Sequence, residues 1–197
     1  SISDFTTLDG LETVHCLSIH EVGNGRLVTF SGESIPEGLE MLNRADVIVG
    51  HNAIGFDLPV LRRVYGWRPV HPEVQDTLVL GRCVHPDLRG EDMQNKSVPR
   101  EYWGSHSLKA WGTRLNFAKG AFGSGDEEDF KEYCEEMKDY CERDVLVTTK
   151  LYEYLGQSSP SPRMAGIEHD FAEIIRSQEL TGFKFNEEAA LDLAKSL

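Results

Sequence analysis

Three carboxylates in apolar surroundings are the residues whose types and positions could do chemistry. Asp4 follows a short strand fragment at the start of the chain, and Asp57 ends the segment 51–57, which directly follows the predicted buried strand and opens a helical pattern. Asp144 lies on the apolar face of a long amphipathic segment, with Tyr140 one turn before it. A carboxylate on such a face is costly unless it is paired or binds a metal ion. Carboxylates that converge from separate elements would supply the oxygen ligands that Mg²⁺ prefers.

Each of these residues also has a purely structural interpretation. Asp57 alone is compatible with a helix cap or a partner of the helix dipole. Asp144 alone could pair with an arginine such as Arg114, and Tyr140 alone is typical of a core aromatic residue whose hydroxyl reaches the surface. The order and spacing of the residues together favour a shared site over three unrelated structural roles.

The elements that must position these residues are strands first and helices afterwards. Residues 14–21 and 26–30 are predicted to form a hairpin across the turn Gly23-Asn24-Gly25, and residues 46–50 a buried strand. Loops are predicted over residues 85–104 and 116–128, which are rich in glycine, proline or polar residues. The predicted helices cover residues 34–44 (with Ser34 as N-cap), 55–65, 76–84, 107–115, about 128–155, 164–180 and a last segment from about 186. This order predicts an α/β fold with a mixed sheet flanked by helices.

The charge of the chain restricts its partners. The 197 residues include 20 Lys and Arg against 33 Asp and Glu, a net charge of −13. Residues 126–144 hold ten acids and three bases, whereas residues 62–119 hold ten bases and six acids. The balance argues against a basic nucleic-acid-binding domain. It still permits a polyanionic substrate that meets local basic groups or bound cations.

Composition also indicates the class of protein and its compartment. The chain has no stretch approaching the roughly 20 apolar residues of a membrane span, and we expect neither a signal peptide nor a membrane partner. Its four cysteines form no CxxC pair, which argues against a disulfide framework or a metal–thiolate cluster. A reducing cytosol, bacterial or of a phage-infected host, is the expected location.

Several segments together resemble one known family. Asp4, the pattern Asn52-x₃-Phe56-Asp57 and the pattern Tyr140-x₃-Asp144 look like the three motifs of DEDD-type 3′→5′ exonucleases with a tyrosine in the third motif. The segments around 51–61, 76–80, 104–112 and 140–145 are similar to the proofreading domain of bacteriophage-type family A DNA polymerases. The resemblance covers about residues 1–155.

The resemblance implies a ribonuclease H-like fold and removal of 3′-terminal nucleotides by two ions of Mg²⁺ or Mn²⁺. Asp4 would bridge both ions, Asp144 would help to hold the water-side ion and Asp57 the other. Tyr140 would hydrogen-bond the attacking water. The residues expected to bind nucleic acid are Asn52, Phe56, His106 and Ser107, with Arg62, Arg63, Lys109 and Arg114 as weaker candidates for strand contacts.

One residue departs from the family pattern. The first motif of the family is Asp-x-Glu, with both acids as metal ligands, and Thr6 stands where the glutamate is expected. A threonine hydroxyl is a neutral and weak ligand for Mg²⁺, so we expect the activity to be weakened. The loss of one electrostatic stabiliser typically costs about 10²–10³ in kcat.

The organisation expected from the resemblance is an exonuclease domain at 1–155, a linker at 156–162 and a helical stem at 163–197. The stem would lead toward an absent polymerase domain, which would be a partner in cis or in trans. The expected substrate is a single-stranded or frayed DNA 3′ end. Two alternatives remain: a catalytically inactive single-strand-binding or scaffold module of a replication protein, and a stand-alone exoribonuclease. Exposed apolar residues on the stem are a predicted source of oligomerisation.

Overall fold

An antiparallel hairpin opens the part of the chain that the computed structural model describes, which comprises residues 11–71, 73–95, 97–117, 133–158 and 161–196. Strand β1 (Cys16–Glu21) pairs with β2 (Arg26–Ser31) in a register that runs from Cys16 opposite Ser31 to Glu21 opposite Arg26. The turn closes with a 2.8 Å hydrogen bond from the Gly25 amide to the Glu21 carbonyl. Gly25 has φ +71°, a conformation that glycine adopts without steric cost. The predicted hairpin is confirmed.

A second pair of strands is parallel. Strand β3 (Val47–Gly50) pairs with β4 (Glu73–Asp76), and Gly50 lies opposite Asp76. The sequence analysis missed β4, because its residues EVQD include a single apolar side chain and show no strand pattern. Pairing with β3 stabilises this short strand and brings Asp76 to the carboxyl end of β3.

Eight helices surround these strands in the described residues. They are α1 (Ile35–Asn43), α2 (Asp57–Tyr65), α3 (Thr77–Val84), α4 (Leu88–Gln94), α5 (Leu108–Arg114), α6 (Glu135–Gly156), α7 (Pro162–Thr181) and α8 (Glu187–Ser196). Helix α6 packs on the hairpin, where Thr29 Oγ1 donates to Glu142 Oε1 at 2.6 Å. The predicted α/β class with flanking helices is confirmed, and the described strands form two two-stranded sheets.

Three local predictions were wrong. Residues 85–104 were expected to be a loop, but Leu88–Gln94 is helical: the Asp87 carboxylate accepts from the Gly90 amide at 3.2 Å, and Leu88 is buried. Helix α6 begins at Glu135, and the preceding Cys134 is extended rather than helical. Ser34 occupies the N-cap position of α1, yet its hydroxyl donates to the Ser31 carbonyl instead of capping the helix.

Two apolar clusters hold the elements together. One joins α3, α4, α5 and α6 and consists of Leu80, Leu88, Trp111, Leu151 and Leu155. The other places Ile35 and Leu39 of α1 against Leu61 of α2, with the hairpin residues Leu17 and Phe30 packed beside them. Burial of these side chains stabilises the fold at about 25 cal/mol per Å² of apolar surface. Within the described residues, no helix has the length and apolarity needed to cross a bilayer.

Candidate functional site

The loop between β3 and α2 is held by one buried carboxylate, that of Asp76, which is 1% exposed. Asp76 Oδ1 accepts from the Asn52 amide at 2.8 Å and from the Leu78 amide at 2.9 Å, and Oδ2 accepts from the Ile54 amide at 3.1 Å. The same side chain therefore caps α3 and shapes the loop that leads to Asp57. Hydrogen bonds from several backbone amides compensate for the free-energy cost of burying a carboxylate.

A second contact ties the end of β3 to the start of α3. Thr77 Oγ1 donates to the Gly50 carbonyl at 3.1 Å and lies 2.9 Å from His51 Nδ1. Because the hydroxyl proton is directed to the carbonyl, Nδ1 of His51 is the donor in the second contact. The next residue, Asn52, has φ +59°, so the chain turns sharply at this point. These contacts determine where Phe56 and Asp57 lie.

Asp57 is the first residue of α2 and is exposed to solvent, although protein atoms crowd around its carboxyl. Desolvation by these surroundings raises the pKa of Asp57 to about 7. The charge of Cys141 adds to the increase, followed by the charges of Asp76 and Asp144, while a backbone hydrogen bond opposes it. Acidic groups from β4, α2 and α6 thus approach one another. The N-cap position of α2 is Phe56, so Asp57 is not the N-cap, but its place in the first turn agrees with the alternative of a partner of the helix dipole.

Tyr140 and Asp144 lie one turn apart on α6 and are both half-buried. Asp144 is close enough to Asp57 for its charge to influence that carboxyl, although 87 residues separate the two in sequence. The alternative in which Asp144 pairs with Arg114 is wrong, because Arg114 pairs with Asp92. Of the predicted site residues, the structure brings together Asp57, Asp144 and the loop that carries Asn52 and Phe56.

Two thiols lie at the edge of this group. Cys16 of β1 and Cys141 of α6 share a hydrogen bond, which lowers the pKa of Cys141 to about 7 despite burial and raises that of Cys16. All four cysteines are free and half-buried. The sequence analysis used the cysteines only to argue against a disulfide framework or a metal–thiolate cluster, and no spacing signal in the sequence relates Cys16 to Cys141.

His106 and Ser107 lie beside a different cluster, formed around Asp92 and Arg114. Arg114 Nε donates to Asp92 Oδ1 at 2.9 Å and Nη2 donates to Oδ2 at 2.7 Å, and the Gly104 amide also donates to Oδ2. Burial favours a higher pKa for Asp92, but these hydrogen bonds outweigh it and hold the pKa below its ordinary value. Ser107 Oγ caps α5 by accepting from the Ala110 amide at 3.3 Å.

The surroundings of His106 disfavour its protonation. Burial lowers its pKa, and the positive charges of Arg82 and Arg114 lower it further. Its ring lies against Trp111, with 6.0 Å between the ring centroids. The structure therefore shows packing and capping roles for His106 and Ser107, and their contact with nucleic acid stays a prediction.

Asp4 and Thr6 lie outside the described residues. Among the residues that the structure does describe, no three His, Cys, Asp or Glu side chains form a metal-binding group. The described part of the site contributes two of the three predicted metal ligands, Asp57 and Asp144. Sequence reasoning did not select Asp76, although an Asp directly before Thr77 and an apolar helical run is an N-cap signal.

Comparison with known proteins finds similarity to phage DNA-directed DNA polymerases. No protein-family model matches it. The DNA-directed DNA polymerase of Escherichia phage T7 is 29% identical over 231 aligned positions, which cover 94% of this chain and 33% of the polymerase. That of Enterobacteria phage T3 is 30% identical over 240 positions, covering 98% of this chain and 34% of the polymerase. The chain spans about a third of the length of these relatives, and it is homologous to that part of the T7 and T3 DNA-directed DNA polymerases.

Proposed function

We propose that this chain is the 3′→5′ proofreading exonuclease domain of a phage-type family A DNA polymerase, which hydrolyses the 3′-terminal phosphodiester and releases nucleoside 5′-monophosphates. The observation that carries the proposal is the approach of Asp57 on α2 to Asp144 on α6, with Tyr140 one turn before Asp144. Similarity to DNA-directed DNA polymerases over almost the whole chain supports a role at a DNA 3′ end.

The described donor set fits a hard divalent cation. Asp57 and Asp144 supply carboxylate oxygens from separate elements, and the negative charge of Asp144 contributes to the raised pKa of Asp57. A cation between them would reverse this repulsion and favour both ionised forms. Asp4 would be the third ligand. When bound, two ions of Mg²⁺ or Mn²⁺ supply positive charge at the scissile phosphate and make water a better nucleophile.

The protein residues would hold and orient the reactants. The hydroxyl of Tyr140 would hydrogen-bond the attacking water, and Asn52 and Phe56 would hold the terminal nucleotide by polar contact and by packing against its sugar or base. The water oxygen forms a bond to phosphorus as the bond from phosphorus to the 3′ oxygen breaks. The loop that carries Asn52 is kept in place by Asp76, which positions the terminal nucleotide without touching it.

The proposed domain organisation places the exonuclease at 1–155 and a helical stem from 163 onward. Helix α7 exposes a row of apolar side chains, Ile167, Phe171 and Ile174, each more than half exposed. Their spacing places them on one side of the helix. Such a face suits packing against further polypeptide, and a polymerase domain in cis or in trans would be its partner.

The test compares the chain with its Thr6→Glu variant on a 3′-labelled single-stranded DNA oligomer in Mg²⁺ or Mn²⁺. Restoring the missing carboxylate ligand should raise the rate of mononucleotide release by about a hundredfold or more, because one electrostatic stabiliser is worth about 10²–10³ in kcat. Asp57→Asn in the Thr6→Glu background is the negative control. If both proteins bind the strand and release nothing, the chain is a binding module and the nuclease proposal fails.

A further inference from the structure

A cleft between α2 and α7 carries an unusual concentration of positive charge. It encloses about 1030 Å³, and four arginines and two glutamates line it: Arg62, Arg63, Arg68, Arg176, Glu173 and Glu179. In a chain with a net charge of −13, this surface is locally positive. The first turn of α2 also lines the cleft, through Leu58 and Pro59, so the cleft begins beside Asp57.

Arg176 on α7 is the unusual member of this set. Its side chain is 8% exposed, and its Nη1 pairs with Glu179 Oε2 at 3.1 Å. Within the described structure its Nε and Nη2 are buried and have no hydrogen-bond partner. A guanidinium group is always charged, and buried donors without an acceptor lower the stability of the folded state, more so for a charged group. A buried arginine normally has these donors satisfied.

A second buried arginine, Arg114, uses Nε and Nη2 to bind a carboxylate. Arg114 is also 8% exposed, and its Nε and Nη2 grip both oxygens of Asp92. Nε and Nη2 form the flat side of the guanidinium that matches a carboxylate or a phosphate with two parallel hydrogen bonds. Among the described residues no acceptor meets this side of Arg176, whereas its Nη1 pairs with Glu179.

We infer that the Arg176 cleft binds a phosphodiester of the DNA strand upstream of the terminal nucleotide, an inference that rests on the proposed function. Arg62 follows Asp57 by five residues, which places it about 7.5 Å further along the axis of α2. A strand with its 3′ end at Asp57 therefore reaches the arginines within one or two nucleotides. The exposed Arg62 and Arg68 supply further charge for successive phosphates.

Access to Arg176 requires side chains to move. The accessible surface of its Nε and Nη2 is below 1 Å², so a phosphate oxygen reaches them only when neighbouring side chains of the cleft change rotamer. Glu179 and Arg62 are exposed and long, and such side chains change rotamer in nanoseconds or less. The cleft would thus close around the phosphate, and water would be excluded from the new hydrogen bonds.

Binding of a fluorescein-labelled oligothymidine in EDTA tests the inference without hydrolysis. We expect Arg176→Met to weaken binding by about tenfold, as the loss of a charge-assisted hydrogen bond does, and to lower the slope of log K against log salt by about 0.7. Arg163→Met, an exposed arginine on the same helix and outside the cleft, is the matched control and should stay within about twofold of the parent. Arg176→Lys keeps the charge but loses the paired donors, and should give an intermediate affinity.

Stability measurements separate binding from folding. Removal of an unsatisfied buried charge should leave the free energy of unfolding of Arg176→Met unchanged or higher. If Arg176→Met does not fold, the double variant Arg62→Gln and Arg68→Gln gives the same test at exposed positions and should lower the salt slope by about 1.4. Equal affinities for the cleft variants and Arg163→Met overturn the inference. The proposed function fails separately, when Thr6→Glu releases no nucleotide although the cleft variants change the affinity.

Discussion

Two carboxylates of this chain have their pKa values moved in opposite directions, and the difference separates a structural centre from a candidate catalytic one. Asp92 is buried against Arg114, whose hydrogen bonds hold its pKa below the ordinary value despite burial. Desolvation raises the pKa of Asp57 to about 7, and the charges of Cys141, Asp76 and Asp144 add to the increase. The first group is electrostatically complete within the chain. The second concentrates negative charge that a cation would neutralise.

The two buried arginines differ in the same way as the two carboxylates, with positive charge in place of negative. The side chains of Arg114 and Arg176 are equally buried, but within the described part of the chain Arg114 meets a carboxylate and two backbone carbonyls, and Arg176 meets one glutamate. A completed network stabilises the fold, whereas charged groups that the chain leaves uncompensated cost stability. Asp57 begins α2, and the cleft that Arg176 of α7 lines also includes Leu58 and Pro59 of the first turn of α2.

The largest expected effect comes from breaking the ion pair between Asp92 and Arg114. Asp92→Ala leaves Arg114 buried without its counter-ion, and we expect the free energy of unfolding to fall by about 3–5 kcal/mol. The matched variant Asp57→Ala removes an uncompensated carboxylate and should leave stability unchanged or increase it. Urea denaturation of both variants at neutral pH measures the difference. Equal losses of stability would show that the two carboxylates do not differ in this way.

The pH dependence of stability should also distinguish the two carboxylates. The raised pKa of Asp57 means that the folded state binds its proton more tightly than the unfolded state does. Its contribution to stability is therefore fully present below the unfolded pKa of about 4 and is lost as pH rises through about 7. Asp92 acts in the opposite direction, because its stabilising contribution is lost only as pH falls through its depressed pKa.

Thermal unfolding between pH 4.5 and 8 measures the Asp57 contribution. Asp57→Asn cannot ionise, so its midpoint should decline less over this interval than that of the parent chain. Mn²⁺ should stabilise the parent at pH 8 and have little effect on the variant, since a ligand stabilises only a state that binds it. A parallel decline in both proteins would contradict the raised pKa.

The smallest expected effect concerns Ser107, which lies beside the ion pair of Asp92 and Arg114 and was predicted to contact nucleic acid. Ser107→Ala removes the cap of α5 and should lower the free energy of unfolding by about 1 kcal/mol. Ser158→Ala, at an exposed position outside any helix, is the control. Oligothymidine affinity of the same variants shows whether Ser107 has a second role. An unchanged affinity would show that Ser107 caps α5 and does not contribute to DNA binding.

Local patterns predicted most of the elements near the candidate site. Three kinds of local pattern were sufficient to predict these elements: the glycine-rich turn of the hairpin, the apolar run of β3 and the helical periodicity of α2, α6 and α7. Each pattern depends only on residues that are neighbours in the sequence. The misses share a different cause. Strand β4 depends on pairing with β3, and α4 depends on the burial of Leu88 and Asp92 against other helices.

The sequence by itself determined which charged residues the chain carries, their order along it and most of the helices and strands that hold them. It could not determine which charges meet. The sequence allowed Arg114 to pair with Asp144, whereas its partner is Asp92, and Arg176 showed no signal among the many charges of α7. Only the tertiary structure decided these pairings, because burial and distance set the strength of a charge interaction, and both arise from contacts between residues far apart in the chain.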